Sequence, residues 1–107
     1  MKKSIAMKWV DALRSGKYKQ GHNQLYDKET NGYCCLGVLC KINKIKITDE
    51  VDYIEDIRDQ KKLSIKSVSG RILGDFNCNT SLADLNDSGN YAFDEIADII
   101  QLFYEEL

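Results

Sequence analysis

A chain of 107 residues with 43% hydrophobic residues suits one domain with one modest core. It has no proline, no long glycine-serine run and no low-complexity tract, which argues against a linker or disordered tail. No apolar run approaches the roughly 20 residues that span a bilayer, so no membrane partner is expected. The formal net charge of -2 hides an asymmetry, because residues 1–46 carry +7 and residues 47–107 carry -9. Either one half docks on the other, or the N-terminal half meets an anion.

The N-terminus, Met1-Lys2-Lys3-Ser4-Ile5, starts basic, but Lys8 and Asp11 interrupt what would be a signal-peptide apolar region. A cytoplasmic protein is expected. Residues 3–15 read as a helix, with Ile5, Trp9, Ala12 and Leu13 on one face. Ser4 is the expected cap and Gly16 the C-terminal stop. Residues 17–31 then lose the helical period. Gln24 to Asp27 reads as a short strand, and Asn31-Gly32 as a turn that brings Tyr33 to Cys35 back against it.

The stretch Tyr33-Cys34-Cys35-Leu36-Gly37-Val38-Leu39-Cys40-Lys41-Ile42 is the expected centre of the core. An amphipathic helix shows one apolar stripe; here the apolar positions run nearly all the way round, so most sides need cover. The helix is expected from about Leu36, with Trp9 packed on it. Gly37 inside it costs roughly 1 kcal/mol relative to alanine, which points to close approach by a backbone or a ring. Residues 48–60 read as an amphipathic helix, 63–76 as a short hairpin, 81–88 as a short helix with a Ser81–Asp84 capping pair and a Gly89 stop, and 92–106 as the clearest helix. The expected fold is a mainly helical α+β single domain over 1–107, with about five helices and one or two short antiparallel strand pairs.

Four cysteines are present, Cys34, Cys35, Cys40 and Cys78. The spacing with the lone His22 matches no common zinc pattern, so buried core thiols are expected; metal or redox use is the competing reading. A Cys34 or Cys35 pair with His22 is the only nucleophilic arrangement on offer, and an apolar setting disfavours a thiolate. No catalytic set emerges, no cofactor is implied, and a non-enzymatic protein is expected.

Three blocks stand out: Trp9-Val10-Asp11-Ala12-Leu13-Arg14-Ser15-Gly16-Lys17-Tyr18-Lys19-Gln20-Gly21, then Tyr33-Cys34-Cys35-Leu36-Gly37-Val38-Leu39-Cys40, then Leu85-Asn86-Asp87-Ser88-Gly89 with Phe93-Asp94-Glu95-Ile96-Ala97. Together they resemble a family of small proteins encoded by bacteriophages and prophages. That pattern has a serine where Ala92 stands here, and this chain carries one extra residue after Gly89. The resemblance implies phage origin and a role inside the infected host, and brings no established catalytic residues with it.

The loop from Arg14 to Gln24 is the candidate binding site. Arg14, Lys17, Lys19 and His22 supply cations; Gln20, Asn23 and Gln24 supply hydrogen-bonding groups; Tyr18 can stack; Gly21 lets the backbone approach a ligand. This mixture suits a phosphate carrying a base or sugar, and the plain alternative is a solvated connector. It is not a phosphate loop, for it lacks Gly-x4-Gly-Lys-Ser/Thr. The Asn86–Ala97 region resembles part of a helix-turn-helix, but the last segment has five acidic residues and no basic one, which repels phosphate, so no DNA partner is expected. The leading expectation is a phage accessory protein that counters host defence by sequestering a nucleotide-derived signal, working as a homo-oligomer. Its alternatives are a protein-binding inhibitor of a host complex and a small metal-binding domain.

Overall fold

The computed structural model describes residues 1–47, 61–66 and 81–107. The helix expected over 48–60, and the expected hairpin beyond residue 66, lie outside these residues.

Helix α1 spans Lys3–Arg14 and buries Ala6, Trp9, Val10 and Leu13. Ser4 does not cap it. The cap position is Lys2, extended and without a side-chain bond to the helix. Tertiary contacts fix the entry instead: the Lys2 amide donates to Ser64 Oγ at 3.1 Å and the Met1 amine to the Tyr104 carbonyl at 3.0 Å. At the other end Gly16 takes φ +74°, the left-handed stop that glycine reaches without Cβ strain.

Three two-residue strands follow: β1 (Lys19–Gln20), β2 (Tyr26–Asp27) and β3 (Gly32–Tyr33), in the order β1-β3-β2. β2 and β3 are antiparallel, with Tyr26 opposite Tyr33, as the turn signal implied. The turn is longer than an Asn-Gly pair, since Tyr26 and Tyr33 face each other across residues 27–32. Asn31 alone takes the left-handed conformation, at φ +57°, and its Oδ1 accepts from the Tyr26 hydroxyl at 2.8 Å. β1 adds a parallel partner to β3, Lys19 opposite Gly32, where only antiparallel pairs were expected. That pairing is possible because Gly21 and Gly32 lie against each other: a Cβ on Gly21 would sit 2.9 Å from the Gly32 carbonyl carbon.

Helix α2 (Cys35–Ile42) starts one residue earlier than expected, after Cys34, whose Sγ accepts the Gly37 amide at 3.3 Å. Residues Cys35 to Cys40 are all buried. The Trp9 indole donates to the Cys35 carbonyl at 2.8 Å, joining α1 to the head of α2. A Cβ at Gly37 would fall 1.8 Å from the Leu25 carbonyl oxygen, so the glycine is there for backbone approach. Beyond α2, Lys44 at φ +60° and a 2.9 Å bond from the Ile45 amide to the Cys40 carbonyl fold the chain back.

Residues 61–63 are helical and Leu63 is buried, so the strand expected to begin at Leu63 is not one at that point; Ser64 at φ +57° ends the helical stretch. Helix α3 (Leu82–Asp87) opens on Ser81, whose Oγ accepts the Asp84 amide at 3.1 Å, and is followed by Gly89 at φ +77°. Helix α4 (Phe93–Phe103) continues into a 3₁₀ turn, Tyr104–Glu106. Alanine has no acceptor, so its N-terminus keeps half a capping box: Glu95 accepts the Ala92 amide at 3.2 Å. Phe93, Ile96, Ala97, Ile99 and Ile100 turn inward, and α1 packs most extensively on this helix. The result is an α+β fold with α2 between α1 and α3. Among the described residues, no helix is long and apolar enough to cross a membrane.

Gly37→Ala should lower stability by about 3 kcal/mol or more, because backbone, not a yielding side chain, occupies the space. Chemical denaturation checks this, with Gly16→Ala, where a Cβ meets nothing within 4 Å and only backbone strain is added, as the milder comparison.

Candidate functional site

The arrangement of the Arg14–Gln24 loop rests on one buried side chain, Asn86. Its Oδ1 accepts the Cys35 amide at 3.2 Å and the Gln20 Nε2 at 3.0 Å. Its Nδ2 donates to the Gly21 carbonyl at 2.8 Å and to Asp87 Oδ1 at 3.1 Å. All four positions of the carboxamide are filled. The same Asp87 oxygen accepts the Asn23 amide at 2.8 Å, and Gln20 Nε2 reaches the Tyr91 carbonyl at 2.9 Å. From the sheet side the Gly21 amide donates to the Tyr33 carbonyl at 2.7 Å. The three sequence blocks singled out above meet here.

The nine loop residues therefore divide. Gln20, Gly21 and Asn23 are fixed in place by Asn86, Asp87 and the sheet, and Asn23 sits at φ +66°. Arg14 turns to α4, where it meets Asp98 Oδ1 at 2.5 Å and Gln101 Oε1 at 2.9 Å. That pair is solvent-exposed and contributes roughly 0–1 kcal/mol; it also joins the basic half of the chain to the acidic one. Lys17, Lys19 and His22 are exposed, and none of their side chains has a hydrogen bond or ion pair among the described residues. Tyr18 is half-buried, its ring edge-on to Tyr33 at 5.6 Å. Gln24 lines a separate depression beside Tyr26 and Asp27.

A concavity of about 270 Å³ lies between the end of α1, the loop and the start of α4. It gathers Arg14, Tyr18 and Gln20 with Phe93 and Asp94, but not Lys17, Lys19 or His22. Its chemistry is mixed: one guanidinium already paired, one carboxylate and two rings.

The thiols take no part in this surface. Cys34, Cys35 and Cys40 are buried and unbridged. Burial pushes the Cys34 thiol up to about 11, against the Gly37 amide that pulls it down. Burial raises Cys35 well above the ordinary thiol range too, with Cys34 beside it adding to the effect. Among the described residues no group of three or more His, Cys, Asp or Glu side chains could hold a metal ion; Cys78 lies outside them.

Sequence reasoning missed Asn86 as the organising residue. Within Leu85-Asn86-Asp87 it falls beside a helical apolar position, and nothing in its spacing tells a buried amide from a turn residue. It also missed the contact row of three rings, since Tyr26 lies tilted against Tyr33 with centroids 4.7 Å apart and Tyr33 meets Tyr18.

Asn86→Ala leaves the Gly21 carbonyl and the Cys35 amide without this partner. It should cost about 3 kcal/mol and strip hydrogen-exchange protection from the Cys35 amide before the helices open. For the thiols the sign is fixed by the upward shift: the folded state holds its protons longer than the unfolded chain, so stability is complete below about pH 9 and declines as pH rises towards 11. Denaturation midpoints across that range, beside Cys34→Ala, report it: the decline should be shallower in the variant.

One protein-family model, described as a domain of unknown function (DUF8296), matches residues 1–64. No curated protein matches the chain, and no solved structure does. The matched stretch takes in α1, the sheet and α2, more than half of the sequence, and the chain is accordingly a member of the DUF8296 family.

Proposed function

We propose that this protein is a non-enzymatic binding protein that sequesters an anionic, nucleotide-derived ligand, with the Lys17–Gln24 segment as its contact surface. The observation that carries the reading is the fixing of that segment. A buried, saturated amide and a sheet partner hold its backbone, while Lys17, Lys19 and His22 project outward without anionic partners among the described residues. A loop held in one shape loses less entropy when it binds, and exposed cations steer anions towards it. Arg14, engaged with Asp98, serves the scaffold first and a ligand second.

The resemblance of the three blocks to bacteriophage proteins supports a role in the cytoplasm of an infected cell. There the target of such a binder is a nucleotide signal of antiviral defence. The concavities on one chain are shallow, so a homo-oligomer that closes a pocket between copies belongs to the same reading. One observation favours the alternative, a protein-binding inhibitor of a host complex: Leu102 on α4 is 76% exposed beside the acidic residues Asp98 and Glu105, an apolar contact with a charged surround.

Isothermal calorimetry with cyclic nucleotides, cyclic dinucleotides and ADP-ribose derivatives should give saturable heat for at least one of them. Lys17→Ala with Lys19→Ala should weaken it about tenfold or more, one charge-assisted contact being worth about 1.4 kcal/mol. No heat from any member of the panel, together with stoichiometric capture of one host protein dependent on Leu102, would replace this reading with the alternative.

A further inference from the structure

We propose a second ligand site, in a groove lined by none of the 17–24 loop residues, that takes a planar heteroaromatic ring bearing a phosphate. It rests on the nucleotide-binding reading only for the class of ligand; its residues are different. A groove of about 410 Å³ is lined by Tyr26, Tyr33, Lys41, Ile45, Lys46 and Ile47, a size in the range of small-ligand sites, roughly 300–1,000 Å³.

The groove has two kinds of wall. One is aromatic and aliphatic. Tyr26 and Tyr33 are half-buried and 4.7 Å apart, and the hydroxyl of Tyr26 is tied to Asn31 Oδ1, so its ring is held from both ends. Ile45 and Ile47, also half-buried, line the same groove. The other wall is cationic: Lys41, in the last turn of α2, and Lys46 are exposed, and their side chains have no ion pair or hydrogen bond among the described residues. The left-handed turn at Lys44 and the bond from Ile45 to Cys40 bring residues 45–47 back beside the helix that carries Lys41. Apolar walls alone would take a greasy ring, and two lysines alone would take any anion. Together, within one groove, they select a molecule with both parts, a base stacked at the tyrosines and a phosphate between the ammonium groups.

The test is a titration of the intact, ¹⁵N-labelled protein with AMP, adenosine and inorganic phosphate, followed by NMR. AMP should shift the amides of Tyr33, Lys41 and Lys46. Lys41→Ala and Lys46→Ala, both exposed and harmless to the core, should each weaken AMP about fivefold to tenfold. Adenosine and phosphate should each bind at least about tenfold more weakly than AMP. Shifts confined to residues 17–24 would overturn this site and leave the loop reading standing. Phosphate binding as tightly as AMP would also overturn it, reducing the groove to a general anion contact. No shift with millimolar AMP, beside calorimetric heat from any nucleotide at the loop, would overturn the groove alone; silence in both experiments would remove both.

Discussion

The structure depends on a single buried amide whose four hydrogen-bonding positions are all occupied. Burying such a group unsatisfied costs several kcal/mol, so the fold must deliver its partners, and those partners come from distant parts of the chain. Gln20 is 66 residues away from Asn86 and the Cys35 amide is 51 away. One side chain thus sets the distance between the basic loop, the head of the central helix and the short helix α3. An apolar residue of similar shape could fill the space but could not place Gly21 and Cys35 relative to each other, because hydrogen bonds have direction and hydrophobic contacts do not.

Much of the scaffold was legible in the residues, for identifiable reasons. The long helices were, because α1 and α4 each carry a one-sided apolar stripe that only a packed helix explains. The interior place of Cys34, Cys35 and Cys40 followed from an apolar surface with no polar side to show to water. Gly37 announced a close neighbour, although not that the neighbour would be the Leu25 carbonyl. What escaped was whatever two residues or one hydrogen bond decide. β1 is two residues long and pairs in parallel across the intervening β2 turn, so no alternation marks it. The start of α1 is held from Ser64 and Tyr104, contacts a local capping rule cannot contain. The candidate loop was recognisable by composition, yet composition did not say that Gln20, Gly21 and Asn23 would be spent on the scaffold and Arg14 on α4.

The charge asymmetry finds a partial outlet inside the molecule. Arg14 on α1 meets Asp98 on α4. Other cations of the N-terminal half stay at the surface: Lys17 and Lys19 in the loop, and Lys41 and Lys46 in the groove beside Tyr26 and Tyr33. The acidic residues Asp94, Glu95 and Asp98 lie on α4, Asp98 paired with Arg14 and Asp94 in the same concavity, so the two oppositely charged halves of the sequence meet at the α1–α4 contact.

The glycine pair at positions 21 and 32 carries one more consequence, and it concerns the order in which the chain assembles. β2 and β3 are separated by a short turn and can zip early, since small loops close at little entropic expense. β1 joins the other edge of β3, flat against Gly32, and its Gln20 side chain is held by Asn86 and the Tyr91 carbonyl. Seating of the strand that bears Lys19 therefore depends on α3 as well as on the hairpin, because Asn86 is one of its anchors. Loss of either anchor would loosen the basic segment locally while α1, α2 and α4 stay packed, so the shape of the loop is hostage to a helix more than sixty residues away.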